Sequence, residues 1–381
     1  MTNLKKAQNH INESACIDVF ISELKDPRRV TKGNFKYPLA EIFFLVISAV
    51  ISGTEDWQGI ALFGKEKINW LRKFLPYKKG TPSHDVLGDL FARIDVLNFE
   101  SVFIKWINTI SEITNGTIIA IDGKTIRGSG DSDIPHSAIH VISAYATNQM
   151  LCFGQTVVDK KQNEITAIPE LLDMLAIKGG VITIDAMGCQ KKIAEKIIKK
   201  EADYVLMVKD NQQELKEQVE KLFEHYKESC DEDQTIDSGH GRVESRKCEM
   251  IGDLRFLDDK DQWKGLRSIV KISSKRYIKK KEIETSEIRY YITSLRPDSE
   301  RLNQIIRSHW GIENNLHWRL DVIFNEDKSS KRKDNSAANF NIISKMAMTL
   351  IDREKTAKAS MGKKRLKAAW NDNYRELLLK S

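Results

Sequence analysis

Apolar positions follow a helical period in the first third of the chain and a strand-like pattern after it. Residues 12–115 are predicted to form helices, and the apolar run from Leu39 to Ser52 predicts a buried one. From Thr117 the pattern changes to short β-rich runs interrupted by helices. Three strands, a helix, a strand, a helix and a strand follow one another, and this order is typical of an α/β layer.

This order fits a ribonuclease-H-like arrangement, with one interruption before the last helix. Residues 211–296 open with an acidic helical stretch and then alternate in the β manner, so we expect a β-rich insertion there. The predicted organisation is a helical N-terminal domain at 12–115 and an α/β domain at 116–350 that contains the insertion. A basic tail at 351–381 follows.

Charge indicates a polyanionic partner. The 381 residues carry a formal net charge of +7, with a pI of about 8.9. The charge is uneven: residues 210–240 hold ten acidic residues against three lysines, and residues 264–283 hold eight basic residues against one glutamate. A basic balance of this size suits a nucleic acid without requiring one.

Several classes of protein are disfavoured by the sequence. The five cysteines show no C-x-x-C spacing, so neither a zinc site of the usual pattern nor a disulfide framework is expected. No P-loop or dinucleotide fingerprint is present. The residues after Met1 form no signal peptide, and the run from Ile42 to Ile51 falls well short of the roughly 20 apolar residues of a membrane span. We expect a cytoplasmic protein.

Two aspartates, each at the end of an apolar strand-like run, are the strongest chemical signal. Asp122 follows Thr117 to Ile121, and Asp185 follows Val181 to Ile184. An aspartate at such a position is also a common turn former or helix cap. The pair, followed by an acidic helix with Glu313, instead predicts carboxylates that hold a divalent metal such as Mg²⁺.

The choice of the third carboxylate stays open at this stage. Glu313 lies on a predicted helix in which Trp310, Glu313 and His317 share one face. Asp321, Glu326 and Asp327 lie nearby as rivals, and spacing alone does not choose among them.

Basic residues in two predicted strands and near the aspartates are candidates for contact with phosphate. One group alternates along His240 to Arg246, and a denser group surrounds Tyr277 between Lys271 and Lys281. Arginine and lysine beside an aromatic ring suit phosphate neutralisation and base stacking. An exposed strand and a solvated hairpin explain the same residues about equally well. The candidates are Lys124, Arg127, Arg242, Arg246, Lys275, Arg276, Lys279, Lys280, His309 and Trp310.

Linked motifs give the chain a family resemblance. The segments resemble, in order, those of the H-repeat-associated branch of bacterial insertion-sequence transposases, and the resemblance spans residues from about 15 to 350. The motifs are Leu24–Arg29, Thr81–His84, Ile121–Gly128, Lys161–Pro169, Asp185–Gln190 and His309–Asn314 with the following Leu316–Val322.

The resemblance implies a DDE transposase with a ribonuclease-H-like fold. Asp122, Asp185 and Glu313 would then hold two Mg²⁺ or Mn²⁺ ions, one to activate a water or a DNA 3′-hydroxyl and the other to stabilise the leaving 3′-oxygen. The wider superfamily often places a tyrosine, an arginine and a lysine around its glutamate. Here Ile306, His309 and Leu320 stand at those positions, which leaves the phosphate contacts around the glutamate unassigned.

The partners implied are the inverted ends of the chain's own mobile element and a target DNA, without a membrane. A bacterial cytoplasmic location, on the nucleoid when DNA is bound, goes with them. Because two ends must be cut in step, we expect a homodimer on DNA. The N-terminal helices and an apolar stripe on Phe340 to Leu350 are candidate contact surfaces, although the stripe could equally pack inside its own domain.

Two other functions remain open from the sequence. The first is a catalytically inactive relative that only binds DNA, which the presence of all three carboxylates disfavours. The second is a ribonuclease-H-like nuclease that cleaves without joining, and it would share the metal site.

Overall fold

The computed structural model describes most of the chain. The described residues are 22–28, 36–111, 114–130, 138–158, 163–226, 231–239 and 241–381. The helical pattern that opens at Cys16, the residues Lys161 and Gln162, and His240 lie outside them.

The region before the sheet is helical, as the periodicity predicts. Asp56, Ser83 and Asp95 each accept a hydrogen bond from a backbone amide of the following helix and so fix where those helices begin. The helices pack through apolar and aromatic side chains into the same core as the sheet. They are α1 (Leu39–Ile51), α2 (Trp57–Glu66), α3 (Ile68–Leu71), α4 (His84–Arg93) and α5 (Val96–Ile110).

A single nine-stranded sheet forms the centre of the molecule. Its strands are β1 (Ile118–Thr125), β2 (His140–Ala146), β3 (Leu151–Val158), β4 (Val181–Ile184), β5 (Asp203–Val208), β6 (Asp231–Gly239), β7 (Arg242–Ile251), β8 (Ser268–Ile278) and β9 (Ile283–Thr293). The order across the sheet is β3-β2-β1-β4-β5-β9-β8-β7-β6.

The first five strands have the ribonuclease-H-like topology that the sequence predicts. β1 pairs antiparallel with β2 and β2 with β3, whereas β1, β4 and β5 are parallel. The parallel strands are apolar because helices cover both faces of the sheet. The helices that connect and flank them are α6 (Glu164–Met174), α7 (Lys191–Lys199) and α8 (Gln213–His225).

The β-rich insertion continues the same sheet. β9 pairs antiparallel with β5, and β8, β7 and β6 add on outward in antiparallel order. The long β8–β9 hairpin extends beyond the core, and its residues from Lys275 to Glu287 are mostly exposed. The insertion is therefore joined to the first five strands of the sheet by backbone hydrogen bonds between β5 and β9.

After the sheet the chain returns as α9 (Ser299–His309), a π-helical turn (Glu313–His317), α10 (Trp318–Val322) and α11 (Ser336–Arg353). α9 packs on the sheet face opposite the N-terminal helices, through Leu302, Ile305 and Ile306. α11 is buried along nearly its whole length.

The expected dimer contact through α11 is wrong. Ile342, Ile343, Met346 and Leu350 are at most 1% exposed. The stripe packs inside its own domain, and polar side chains of the same helix, such as Asn339 and Lys345, are buried with it.

The segment expected to be a basic tail is folded. Residues 361–379 form α12 (Met361–Trp370) and α13 (Asp372–Leu379), which pack on α1 and α11. Arg365 bonds to the Val50 carbonyl at 2.8 Å, and Arg375 is fully buried. In the described part of the chain, no helix is long and apolar enough to cross a membrane.

Candidate functional site

The two strand-end aspartates lie side by side. In the parallel pair β1–β4, Ile121 is opposite Ile184, so Asp122 and Asp185 follow at the same end of adjacent strands. Asp122 remains within β1, opposite Ser143 of β2. Asp185 leaves β4 and accepts a hydrogen bond from the Met187 amide at 3.1 Å.

Glu313, the third predicted carboxylate, begins the π-helical turn and is exposed. Burial, together with the negative charges of Asp185 and Glu313, raises the pKa of Asp122 to about 7. The structure thus brings the three predicted carboxylates within electrostatic reach of one another. We call Asp122, Asp185, Glu313 and a further member, Glu164, the strand-end cluster.

The strand-end cluster fits a hard divalent cation, because all its members offer carboxylate oxygens as ligands. Their negative charges repel one another in the absence of a cation. Within the described residues, no three acidic, histidine or cysteine side chains are already gathered at metal-ligand distances.

Glu164 was not a candidate from the sequence. It is the first residue of α6, and its carboxylate oxygen Oε1 lies 2.6 Å from Nε2 of His140. Burial, and next the charge of Glu164, raise the pKa of Asp185. The only sequence signal was its place in the Lys161–Pro169 motif.

His317 is the other neighbour that the sequence analysis did not assign. Its Nδ1 lies 3.5 Å from Oδ2 of Asp122. Burial lowers the pKa of His317 to about 3, and the nearby Lys345 and Lys124 lower it as well. His317 is therefore neutral, and it contacts Asp122 without balancing its charge.

A second acidic group, the lysine-centred cluster, surrounds Lys124. The Nζ of Lys124 lies 2.7 Å from Asp321, 2.9 Å from Glu326 and 3.2 Å from Asp327. These carboxylates were the rivals of Glu313, and the structure instead shows all three paired with one lysine.

The prediction that Lys124 contacts phosphate is accordingly not supported by its position. Its side chain is only 12% exposed and its ammonium points into three carboxylates. Arg127 differs, because its side chain is 84% exposed and its nearest acidic partner, Asp327, is 3.8 Å away.

A cleft of about 610 Å³ lies between the insertion and the end of α9, and we call it the arginine cleft. Five arginines and two glutamates line it, together with Trp310, Asn314 and Asn315 beside Glu313. Its excess positive charge suits a phosphate backbone. The arginines are Arg242, Arg246, Arg276, Arg289 and Arg307.

Side chains alternate between the two faces of a strand, which explains why the cleft-lining residues of β7 and β8 lie on one face of the sheet. Arg246 is opposite Ser274 and Glu244 is opposite Arg276 in the β7–β8 pair. Arg289 lies over the Trp310 ring at 4.7 Å and donates two hydrogen bonds of 2.7 Å to Glu287. Nη1 of Arg246 is buried without a hydrogen-bond partner among the described residues.

The basic residues of the β8–β9 hairpin do not form one surface. Lys275 precedes Arg276 in β8, so its side chain lies on the face opposite the arginine cleft. Lys279 and Lys280 lie in the exposed turn. Lys271, which begins the stretch, is 3.2 Å from Glu249.

The placement of His309 contradicts its prediction as a DNA contact. It is 8% exposed and its Nδ1 lies 2.9 Å from the hydroxyl of Thr183. Burial lowers its pKa to about 4, so it is neutral at pH 7. Its neighbour Trp310 reaches the arginine cleft.

Comparison with known proteins identifies the family. A family model described as "Transposase DDE domain" matches residues 114–350, and one described as "DDE_Tnp_1-associated" matches residues 19–107. The chain belongs to the DDE transposase family. The resemblance to the H-repeat-associated branch is confirmed by relatives of nearly the same length.

Two such relatives come from Escherichia coli. "Putative transposase YncI" of strain O157:H7 is 43% identical over 95% of this chain and 94% of its own length. "H repeat-associated putative transposase YhhI" of strain K12 is 40% identical over 97% of both chains. The cryo-EM structure of the piggyBac transposase synaptic complex with hairpin DNA aligns over 94% of this chain and 78% of its own, with 14% identity. Its TM-score of 0.47 is too low to bear on the site.

Proposed function

We propose that this transposase cleaves DNA at the ends of its own mobile element and joins those ends to a target. Asp122, Asp185 and Glu313 are the proposed metal-holding residues. The observation that carries this proposal is the strand-end cluster, in which burial and the negative charges of Asp185, Glu313 and Glu164 raise the pKa of Asp122.

The chemistry follows from what each group offers. Asp122, Asp185 and Glu313 would hold divalent cations, which would supply an activated oxygen nucleophile and charge stabilisation for the leaving 3′-oxygen. β1 and β4 hold Asp122 and Asp185 on rigid neighbouring strands. The helix that carries Glu313 also carries Trp310, so the carboxylate and the arginine cleft are linked through one short segment.

We infer that DNA follows the arginine cleft toward the strand-end cluster. Asn314 and Asn315, which directly follow Glu313 in sequence, line the cleft together with its arginines. Exposed Arg127 lies on the chain that leaves β1, on the other side of Asp122 in sequence.

Cleavage of element-end DNA in Mg²⁺ tests the metal-holding residues. Asp122→Asn, Asp185→Asn and Glu313→Gln should each lower the cleavage rate by about 10³-fold or more, because a lost ligand removes the activated nucleophile. DNA binding should persist. Asp173→Asn, an exposed pair with Lys196, is the matched control. Wild-type cleavage by Asp122→Asn would refute the assignment.

The same assay separates the rival functions. A nuclease without joining activity would cut the ends but give no strand-transfer product with a target duplex. An inactive DNA-binding relative would bind the ends and leave them uncut in both Mg²⁺ and Mn²⁺.

The salt dependence of binding tests the arginine cleft. Each phosphate contact that is lost should lower the slope of log K against log salt by close to one. Arg246→Ala with Arg307→Ala should therefore flatten the slope by about two, whereas Lys275→Ala with Lys280→Ala, on the opposite face and the turn, should change it less. Equal slopes for both pairs would place the DNA elsewhere.

A dimer on DNA remains part of the proposal, because each chain has one strand-end cluster and two ends must be processed together. Mass measurement of the complex with end DNA tests it. One chain bound to a cleaved pair of ends would exclude the dimer.

A further inference from the structure

Glu164 lies against the backbone that follows the first catalytic aspartate. Gly123 comes directly after Asp122, and a methyl group built on Gly123 would overlap both Oε1 of Glu164 and Nε2 of His140. The absence of a side chain at position 123 therefore lets a glutamate from α6 approach β1 beside Asp122. No other glycine contact in the described chain involves a carboxylate–histidine pair.

Local structure holds the Glu164 carboxylate in this place. Asn163 caps α6 by accepting from the Thr166 amide at 3.2 Å, so the backbone of Glu164 is fixed at the helix start. His140 lies between Thr125, whose Oγ1 is 2.9 Å from Nδ1, and Glu164, 2.6 Å from Nε2. A neutral imidazole can accept from the threonine and donate to the glutamate, and this arrangement uses both nitrogens.

Only one of the two carboxylate oxygens of Glu164 forms a hydrogen bond with His140. Oε1 accepts from His140, and Oε2 has no hydrogen bond to any residue that the structure describes. An anchored carboxylate with one oxygen left over is the arrangement expected of a metal ligand held by its neighbours.

The negative charges around Glu164 also support a role for it in binding a cation. Apart from burial, Glu164 is the first contributor that raises the pKa of Asp185, and it contributes to the raised pKa of Asp122. With Glu313 the strand-end cluster holds four carboxylates. Four negative charges match the four positive charges of two divalent cations, whereas three leave the site short by one.

We propose that Glu164 is a fourth carboxylate ligand of the metal site, anchored by His140 and admitted by Gly123, and that its free oxygen Oε2 binds a divalent cation. This inference rests on the proposed function, since it adds a ligand to the same site.

Mn²⁺ binding to the full-length protein tests it without requiring cleavage. Calorimetry and the EPR signal of free Mn²⁺ are measured for wild type, Glu164→Gln and Glu170→Gln. Glu170 is exposed on the same helix and loses the same charge, so it is the matched control. Glu164→Gln should weaken Mn²⁺ binding by about 10-fold or more, whereas Glu170→Gln should bind as wild type.

Thermal unfolding without metal tells a ligand from a purely structural residue. If Glu164 binds a cation, removing its charge relieves repulsion and should leave the melting temperature of the apo protein unchanged or higher. A lower melting temperature together with wild-type Mn²⁺ affinity would overturn the inference.

Gly123→Ala is a second variant that changes no charge. The added methyl group should displace the Glu164–His140 pair and weaken Mn²⁺ binding in a variant that still melts cooperatively. Wild-type affinity in both Glu164→Gln and Gly123→Ala would exclude the fourth ligand.

Asp122→Asn separates this inference from the function on which it rests. If Asp122→Asn loses Mn²⁺ and Glu164→Gln does not, only the fourth ligand is wrong. If neither variant changes Mn²⁺ binding, the metal site itself lies elsewhere and both proposals fail.

Discussion

Two acidic clusters lie two residues apart on one strand, and they differ in how their charge is balanced. Asp122 and Lys124 share a face of β1 because side chains alternate along a strand. The lysine-centred cluster carries its own cation, with three carboxylates within 3.2 Å of Lys124 Nζ. Two residues earlier, the strand-end cluster has a neutral histidine, His317, where a cation would be expected.

The difference shows why one cluster is structural and the other is suited to chemistry. Carboxylates that surround a buried lysine are stabilised by its positive charge. In the strand-end cluster, burial and neighbouring carboxylates raise the pKa of Asp122 and Asp185, and a divalent ion bound there would favour their charged forms. Perturbed carboxylates of this kind are typical of functional sites.

Removing the lysine should have the largest effect on stability. Lys124→Met leaves three carboxylates facing one another, of which Glu326 is 7% exposed, and should destabilise the protein by about 3–5 kcal/mol. Urea denaturation measures this change. Lys333→Met, which breaks the exposed pair with Asp89, should change stability much less, because solvent screens that pair. Equal losses in both variants would mean that the two clusters do not differ.

Mg²⁺ should stabilise the protein through the strand-end cluster alone. At 100 times the dissociation constant, a ligand that binds only the folded state adds about 2.7 kcal/mol. Wild type should gain this stability, and Asp122→Asn should gain much less. Asp327→Asn, in the lysine-centred cluster, serves as the comparison and should respond like wild type. A full response in Asp122→Asn would move the binding site away from β1.

The metal-free protein should lose stability as pH rises. The folded pKa of Asp122 is about 7 against an ordinary 3.8, so between these values the unfolded state binds fewer protons and stability falls. Asp122→Asn should remove this part of the slope and be more stable than wild type at pH 8 by about 1–2 kcal/mol. Denaturation curves from pH 4 to 8 in EDTA test it, and parallel curves for the two proteins would contradict it.

The smallest effect on stability is expected for Asp327 of the lysine-centred cluster. Asp327 is 29% exposed and is the most distant of the three partners of Lys124. Asp327→Asn should change stability by less than about 1 kcal/mol, because Asp321 and Glu326 still neutralise the lysine. A larger loss would show that Lys124 needs all three carboxylates, and chemical denaturation can resolve it.

The sheet and the two aspartates were predictable because their signals are local. Short apolar runs specify buried strands, and an aspartate directly after such a run is read from neighbours in sequence. The same reasoning predicted the α/β order and the β-rich insertion between β5 and α9. The family resemblance then selected Glu313 among four acidic residues.

Long-range partners explain the predictions that failed. Lys124 is neutralised by Glu326, 202 residues later, and His309 bonds to Thr183, 126 residues earlier. Neither pairing can be predicted from the spacing of neighbouring residues in the sequence. Glu164 escaped notice because a glutamate at the start of a helix is favourable for the helix dipole alone, which gives it an ordinary explanation.

The π-helical turn at Glu313 affects how transposase sequences align with one another. The Trp318 amide bonds to the Glu313 carbonyl five residues back, so the turn holds one residue more than an α-helix would. Deleting one residue, such as Asn315, would allow ordinary α-helical bonds to form through this turn, so Leu316 and Leu320 could stay buried while the widened turn at Glu313 is lost. A relative with an unbroken α-helix here would therefore need a one-residue gap in the turn for Glu313 and Leu320 both to align.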